Sequence, residues 1–84
     1  MYQKINVIAS FNLKGQICPL WIQLRSGDEL LTAEVLSSKE IPPRDPLLAV
    51  YYVFKCRIKV TETSARMTEL RFHKKEKYWE ISVQ

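Results

Sequence analysis

Residues 52–60 read YVFKCRIKV, and this stretch decides the fold. The even positions carry apolar or aromatic side chains, whereas three of the four odd positions carry cations. The two sets are Tyr52, Phe54, Cys56, Ile58 and Val60 on one side, and Val53, Lys55, Arg57 and Lys59 on the other. A period of two over nine residues predicts a β-strand with one buried face and one face in water.

Similar alternation elsewhere in the chain predicts five further strands, separated by turn signals such as Gly15 and Gly27. The predicted strands are residues 2–11, 17–24, 30–36, 47–60, 66–74 and 78–83. Short antiparallel strands joined by tight turns predict an all-β fold, a small antiparallel barrel or roll of the SH3-like or OB-like class. At 84 residues we expect a single domain that covers residues 1–84.

Two segments leave alternatives open. Residues 28–38 alternate as a strand would, but they also contain good helix formers, so a short helix is the alternative. In residues 17–24 both faces are apolar, which indicates a strand that is buried on two sides or that switches face at a β-bulge. Pro19 lacks an N–H group and so belongs at an edge or at that bulge.

The pattern also predicts which side chains fill the interior. The expected core is Val7, Phe11, Trp21, Phe54, Cys56, Ile58, Leu70, Phe72, Trp79 and Ile81. If Val60 faces Arg66, then Cys56 faces Leu70. In the last hairpin, Phe72 should face Trp79 and Arg71 should face Glu80, an opposite-charge pair.

Composition limits the class of protein. The apolar content of 46% is typical of a globular domain, and no apolar run is long enough for a transmembrane helix. The first residues do not have the pattern of a secretory signal, so we expect a cytoplasmic protein. Cys18 and Cys56 are too few for a disulfide scaffold, and we interpret both as buried, reduced thiols; a bridge between them is the alternative.

The net charge of +4 is unevenly distributed. Residues 1–54 carry five Lys or Arg and five Asp or Glu, whereas residues 55–84 carry eight and four. The excess lies on a predicted outer face that could contact phosphates, with Tyr51 and Tyr78 for bases. The candidate nucleic-acid-binding residues are Lys55, Arg57, Lys59, Arg71 and Lys74, and Arg66 and His73 extend this face. The alternative is a solvated face with Arg57–Glu69 and Arg71–Glu80 pairs.

Aromatic residues suggest a different role, a contact with another protein. Trp21 in the first hairpin is expected in the core; if it lies on the rim instead, it could anchor a partner. The candidate partner-binding residues are Tyr2, Trp21 and Tyr78. An unpaired strand edge could also support a homodimer.

Residues for catalysis or metal binding do not form a recognisable motif. Cys18, Cys56 and His73 lack the spacing of zinc ligands, and both glycines are isolated, so no phosphate-binding loop is present. We expect His73 at the surface, packed beside Tyr78. No catalytic, metal or cofactor site is therefore predicted, and a non-enzymatic binding or adaptor module, with a protein as its partner, is the leading hypothesis.

The opening segment INVIASFNLKGQICPLWI and the closing segment LRFHKKEKYWEI resemble a group of short, uncharacterised bacterial proteins. The shared features are a first strand, a turn that ends in glycine, a hairpin and a late aromatic strand. The matching positions are Phe11, Gly15, Ile17, Pro19, Leu20, Trp21, Leu70, Phe72 and Trp79. The resemblance covers most of the chain and implies a free-standing bacterial cytosolic β domain, with no known activity to transfer.

Overall fold

The computed structural model describes residues 1–83 and contains six β-strands. They are β1 (Tyr2–Phe11), β2 (Ile17–Ser26), β3 (Glu29–Ile41), β4 (Tyr51–Lys59), β5 (Ala65–His73) and β6 (Trp79–Ser82). The segment near residues 28–38 is therefore strand, as the alternation favoured. A helix long and apolar enough to cross a membrane is not found among residues 1–83.

Each strand pairs antiparallel with the next one along the chain, and β1 pairs with β6 to close a barrel. This sequential order is an up-and-down meander, which differs from the Greek key of an OB fold. The barrel has two walls, because β1 and β3 change partners along their length. The first wall joins residues 6–11 of β1, β2 and residues 29–34 of β3; the second joins residues 2–5 of β1, residues 35–41 of β3, β4, β5 and β6.

Two β-bulges shape the first wall and its junction with the second. Ile8 pairs with Trp21 but Ala9 pairs with Pro19, so Leu20 is an extra residue in β2. Likewise, Leu36 is an extra residue in β3, between Val35 and Ser37. An extra residue reverses the face to which the following side chains point. The predicted face switch near Pro19 is therefore present.

The core is the set of apolar side chains that point into the barrel. Its buried members are Ile22, Val35, Phe54, Cys56, Ile58, Leu70, Phe72 and Trp79, with Ile5, Val7, Ala9, Ile17, Leu24, Ala33 and Ile81 packed against them. Eight of the ten expected core residues are in this cluster. The prediction was wrong for Phe11, which is 65% exposed near the end of β1, and for Trp21, which is 42% exposed. The bulge at Leu20 places Pro19 and Ile22 inside and Trp21 outside.

The pairing of β4 with β5 differs from the prediction by two residues. Ile58 faces Arg66, Phe54 faces Leu70, and Cys56 faces Thr68. The turn is tighter than expected because the Ser64 carbonyl accepts hydrogen bonds from the N–H groups of Val60 and Thr61. A shift of two keeps every side chain on its face, so the core residues are correct although their partners are not. In the last hairpin, the predicted Phe72–Trp79 and Arg71–Glu80 pairs are confirmed.

The connection from β3 to β4 lies later in the chain than the sequence pattern suggested, because residues 37–41, which were predicted as loop, continue β3 to Ile41. Residues 47–50 were predicted as the start of the long strand, but β4 begins at Tyr51. The Asp45 carboxylate accepts a hydrogen bond from the N–H of Leu47, and the backbone carbonyl of Asp45 accepts one from the N–H of Leu48. These bonds hold a turn in which Leu47 is 94% exposed.

Candidate interaction surfaces

An apolar patch lies on the outer surface of the first wall and extends to its junction with the second wall. Trp21 of β2 is directly opposite Ile8 of β1, and both side chains are exposed, at 42% and 64%. Leu20 precedes Trp21 at one bulge, and Leu36 lies at the other bulge, two residues beyond the cross-strand partner of Trp21, Glu34. Both leucines are also exposed. We call Ile8, Leu20, Trp21 and Leu36 the Trp21 patch.

A small cavity of about 110 Å³ opens beside the Trp21 patch. Ile8 and Trp21 line one side of this cavity, and the polar side chains of Asn6, Gln23 and Thr32 line the other. Asn6 donates a hydrogen bond of 3.0 Å to Gln23 across the strands. An exposed aromatic residue with a nearby cavity and a polar rim is the arrangement found at the centres of protein interfaces.

A second group of aromatic and charged side chains covers the outer surface of the second wall. The Arg71 guanidinium lies over the rings of Tyr2, at 3.6 Å, and Tyr51, at 4.1 Å. Its Nε donates a hydrogen bond of 2.7 Å to Glu80, and Tyr78 shares a bond of 3.2 Å with Tyr51. We call Tyr2, Tyr51, Arg71, Tyr78 and Glu80 the tyrosine cluster. Its cation is held between two rings and a carboxylate.

The contacts of the tyrosine cluster raise the pKa values of three of its members, Tyr2, Arg71 and Tyr78. The hydroxyl of Tyr2 donates to Glu69, and this bond and burial raise the pKa of Tyr2. Desolvation lowers the pKa of Arg71, but the hydrogen bond and charge of Glu80 outweigh it, so the pKa of Arg71 is raised overall. The hydrogen bond with Tyr51, followed by desolvation, raises the pKa of Tyr78 to about 12. Tyr2 and Tyr78 therefore stay neutral and Arg71 stays charged at neutral pH.

The three predicted partner-binding residues do not form one site. Tyr2 and Tyr78 belong to the tyrosine cluster on the second wall, whereas Trp21 lies on the first wall. Pairing of β1 with β6 brings Tyr2 next to Arg71, a contact between residues at opposite ends of the chain. Sequence reasoning missed this cluster, because alternation alone does not show which strands close the barrel.

The five predicted nucleic-acid-binding residues are also divided. Arg71 lies in the tyrosine cluster, Lys59 forms an ion pair of 3.3 Å with Glu62, and Lys74 lies over the ring of Tyr52. Lys55 and Arg57 remain exposed on the outer face of β4, and the structure shows no ion pair for them among the described residues. Lys55 faces Glu69 across the strands, whereas the predicted Arg57–Glu69 pair was wrong, since Arg57 faces Met67.

Two groups of cations were not recognised from the sequence. Lys39 of β3 lies directly opposite Lys55 and extends the row on β4. Three more cations, Lys4, Arg25 and Lys77, line a groove of about 550 Å³ beside β1 together with Tyr78. The lining of this groove contains no carboxylate among the residues that the structure describes. The contributing cations lie far apart in the sequence, so only the closed barrel reveals them.

His73 and the two cysteines occupy separate environments. His73 stacks on Tyr78, with ring centroids 4.9 Å apart, as the sequence predicted, and its Nδ1 accepts a hydrogen bond from the N–H of Glu76. Both cysteines are free; Cys56 is buried, but Cys18 is exposed, which corrects the expectation that both are buried. Within residues 1–83, no three His, Cys, Asp or Glu side chains are grouped so that they could hold a metal ion.

Comparisons of the chain with protein-family models, with curated proteins and with solved structures find no match.

Proposed function

We propose that this protein is a non-enzymatic binding module that docks another protein on the Trp21 patch. The observation that carries the proposal is the pair Ile8–Trp21, two large apolar side chains that lie opposite each other on an outer wall. Trp is among the residues that contribute most to protein interfaces, and exposed apolar patches with a polar rim are typical of interaction sites. In keeping with the resemblance, we place this role in the bacterial cytoplasm.

The surroundings of the patch specify the partner's chemistry. The cavity of about 110 Å³ beside Trp21 suits one aliphatic side chain of the partner. Asn6, Gln23 and Thr32 offer hydrogen-bonding groups around it, and Glu34, opposite Trp21, favours a basic residue at the rim. The expected partner surface is thus an apolar side chain flanked by amide groups and a Lys or Arg.

The experiment is affinity capture from a lysate of the source organism with the wild type, Trp21→Ser and Phe11→Ser, followed by calorimetry with the purified partner. Phe11 is a matched control, since it is an exposed aromatic residue on β1 outside the patch. We expect Trp21→Ser to weaken binding at least about tenfold, because central aromatic residues contribute about 2 kcal/mol or more. Equal affinity of the wild type and Trp21→Ser would overturn the proposal.

Self-association is an outcome that the same variants test. Within residues 1–83, no ladder partner on the β3 side is found for residues 17–20 of β2, but Pro19 lies in this stretch and removes one N–H donor from the edge. The proposal predicts a monomer in sedimentation. A dimer that Trp21→Ser dissociates would identify a second copy of this chain as the occupant of the patch.

Nucleic-acid binding is the second candidate function, and the cations around the barrel favour it. The row Lys39, Lys55 and Arg57 and the groove with Lys4 and Lys77 both present cations for which the structure shows no ion pair. These statements hold for the part of the chain that the structure describes. The Trp21 patch remains the better supported site, because carboxylates face two of these cations across the strands: Glu69 faces Lys55, and Glu80 faces Lys4.

Gel shifts with single- and double-stranded oligonucleotides at about 50 and about 200 mM salt test the second function. Binding through several phosphates would weaken by powers of ten between these concentrations. Paired variants separate the two surfaces: Lys55→Gln with Arg57→Gln for the row, and Lys4→Gln with Lys77→Gln for the groove. Absence of binding at the lower salt concentration would remove this candidate.

A further inference from the structure

The end of the barrel that carries the β2–β3 and β4–β5 turns is open and leads into an apolar cavity. The cavity has a volume of about 520 Å³. Five of its lining residues, Ile22, Leu24, Ala33, Ile58 and Ile81, belong to or pack against the core. Leu31 also lines it and is 49% exposed, although it pairs with Leu24 on the inward side of the first wall. The interior of the barrel is therefore not filled at this end.

The side chain of Arg66 lies at the mouth of this cavity. Arg66 faces Ile58, a buried residue, so Arg66 occupies the same inward row of β5 as Leu70 and Phe72. The sequence pattern placed Arg66 on the outer basic face. The two-residue shift of β5 gives Arg66 a different cross-strand partner, but Arg66 stays on the same face of β5 as the core residues. An arginine on an inward row is costly unless its guanidinium reaches water or a counter-ion, and this position at the barrel end allows both.

The charges around the cavity have one sign. Arg66 and Lys59 line the cavity, and no lining residue among those that the structure describes is a carboxylate. Lys59 is paired with Glu62, whereas Arg66 has no ion pair within the described residues. Thr68 lies between Arg66 and the buried Leu70 on the inward face of β5. Its hydroxyl is therefore placed between the aliphatic lining and the guanidinium. An apolar cavity with one unpaired guanidinium at its mouth matches an amphiphile that has an alkyl tail and an anionic head.

We propose that this cavity binds a free medium-chain alkyl carboxylate, with the tail among Ile22, Ala33 and Ile81 and the carboxylate on Arg66. The volume lies within the roughly 300–1,000 Å³ that small-molecule sites occupy, and mouths of β-barrels are frequent places for such sites. A guanidinium can hold both oxygens of a carboxylate through two parallel hydrogen bonds. The Trp21 patch is on the outer wall, so this site does not depend on the proposed protein-docking function.

Calorimetric titration with decanoate, below its micelle concentration, tests the site, and decanol provides the control that lacks the carboxylate. We expect decanoate to bind at least about tenfold more tightly than decanol, since hydrogen bonds between charged groups are stronger than those between neutral groups. Arg66→Gln should remove this preference and leave decanol binding unchanged, whereas Arg66→Lys should retain part of it. Arg57→Gln is the matched control on the outer face and should bind as the wild type does.

Two further measurements locate the ligand. Ala33→Leu adds volume to the lining and should weaken both decanoate and decanol. Amide shifts in NMR spectra should change more around Leu24, Ala33 and Ile81 than around Leu20 and Leu36 of the Trp21 patch. Sedimentation with phosphatidylglycerol vesicles separates a free ligand from a lipid surface, and the protein should stay in the supernatant.

The proposal fails if decanoate does not bind at millimolar concentration, or if decanoate and decanol bind equally. It also fails if Arg66→Gln binds decanoate as the wild type does while its thermal unfolding midpoint is unchanged. Shifts confined to the Trp21 patch, or sedimentation with the vesicles, would overturn the assignment to the barrel mouth or to a free carboxylate, respectively.

Discussion

Trp21 lies directly opposite Ile8 on the outer surface of the first wall, beside the bulge that Leu20 creates in β2. The bulge reverses the face of the strand, so Pro19 on one side of it is buried while Trp21 on the other side is exposed. One inserted residue thus converts a core position into a surface position. This exposed pair is the basis of the protein-docking function that we propose.

Truncation of a side chain in the most buried part of the core should strongly lower the stability of the barrel. Leu70 is fully buried and faces Phe54 across the strands. We expect Leu70→Ala to lower the free energy of unfolding by about 2–5 kcal/mol, because it removes apolar contacts and leaves a cavity. Met67, on the outer face of the same strand, is the control, and Met67→Ala should cost less than about 0.5 kcal/mol. Urea unfolding followed by circular dichroism measures both; equal losses would contradict the assigned faces of β5.

The buried thiol should make the fold sensitive to alkaline pH. Burial, and then the charge of Cys18, raises the pKa of Cys56 from the ordinary thiol value of 9.0 to about 12. Between these pH values the unfolded chain loses a proton that the native state keeps. The contribution of Cys56 to stability is therefore complete below pH 9 and is lost as the pH rises towards 12, at no more than about 1.4 kcal/mol per pH unit.

Urea titrations of the wild type and two cysteine variants across this pH range provide the measurement. Cys56→Ala is less stable at neutral pH because of the cavity, but its stability should decline less steeply above pH 9. Cys18→Ser, which alters an exposed thiol, should decline almost as the wild type does. A slope that is the same for Cys56→Ala and the wild type would argue against a buried, neutral Cys56.

The Arg71–Glu80 pair should stabilise the second wall more than an ordinary surface ion pair. The two side chains are only 25% and 13% exposed, and the guanidinium also lies between two tyrosine rings. We expect a coupling free energy of about 1–2 kcal/mol in a double-mutant cycle of Arg71→Met and Glu80→Gln, below that of a fully buried pair because solvent still screens it. A parallel cycle on Lys59 and Glu62, which are more exposed, should give less than about 0.5 kcal/mol. Similar values for the two cycles would be inconsistent with the cluster geometry.

In the turn from β5 to β6, replacement of Lys77 by glycine should raise the stability of the protein. Lys77 has a φ of 62°, in the left-handed region, and its N–H donates to the His73 carbonyl. Because a side chain costs roughly 1–2 kcal/mol in this region, Lys77→Gly should raise stability by about 0.5 kcal/mol after the loss of chain entropy. Lys75→Gly, two residues earlier in the same turn and without a positive φ, should lower it. Thermal unfolding of the two variants at one pH decides the sign of each effect.

Local alternation accounts for much of this fold. The first strand was predicted with its observed bounds, and Phe54, Cys56, Ile58, Leu70 and Phe72 were placed inside although the β4–β5 register was wrong, because a shift by two residues preserves faces. Trp21 was misplaced because the number of residues at a bulge is not visible in an apolar stretch. Residues 47–50 were misplaced because the Asp45 turn competes with strand formation.

The candidate surfaces were harder to predict than the core. Pairing of β1 with β6 brings Tyr2 into contact with Arg71 and places Lys4 and Lys77 in one groove. No local sequence pattern determines that closure. Arg66 was read as part of the outer basic face, whereas it lies at the mouth of the barrel. Sequence spacing therefore identified the residue types of these sites but not their grouping.

The exposure of the two tryptophans tests the central claim most directly. The variants Trp79→Phe and Trp21→Phe leave one indole each, and acrylamide quenching with the emission maximum reports its contact with water. We predict that the remaining Trp21 emits at longer wavelength and is quenched strongly, and that the remaining Trp79, 8% exposed between Phe54 and Phe72, is shielded. A shielded, blue-shifted Trp21 would contradict the bulge at Leu20 and the docking surface that depends on it.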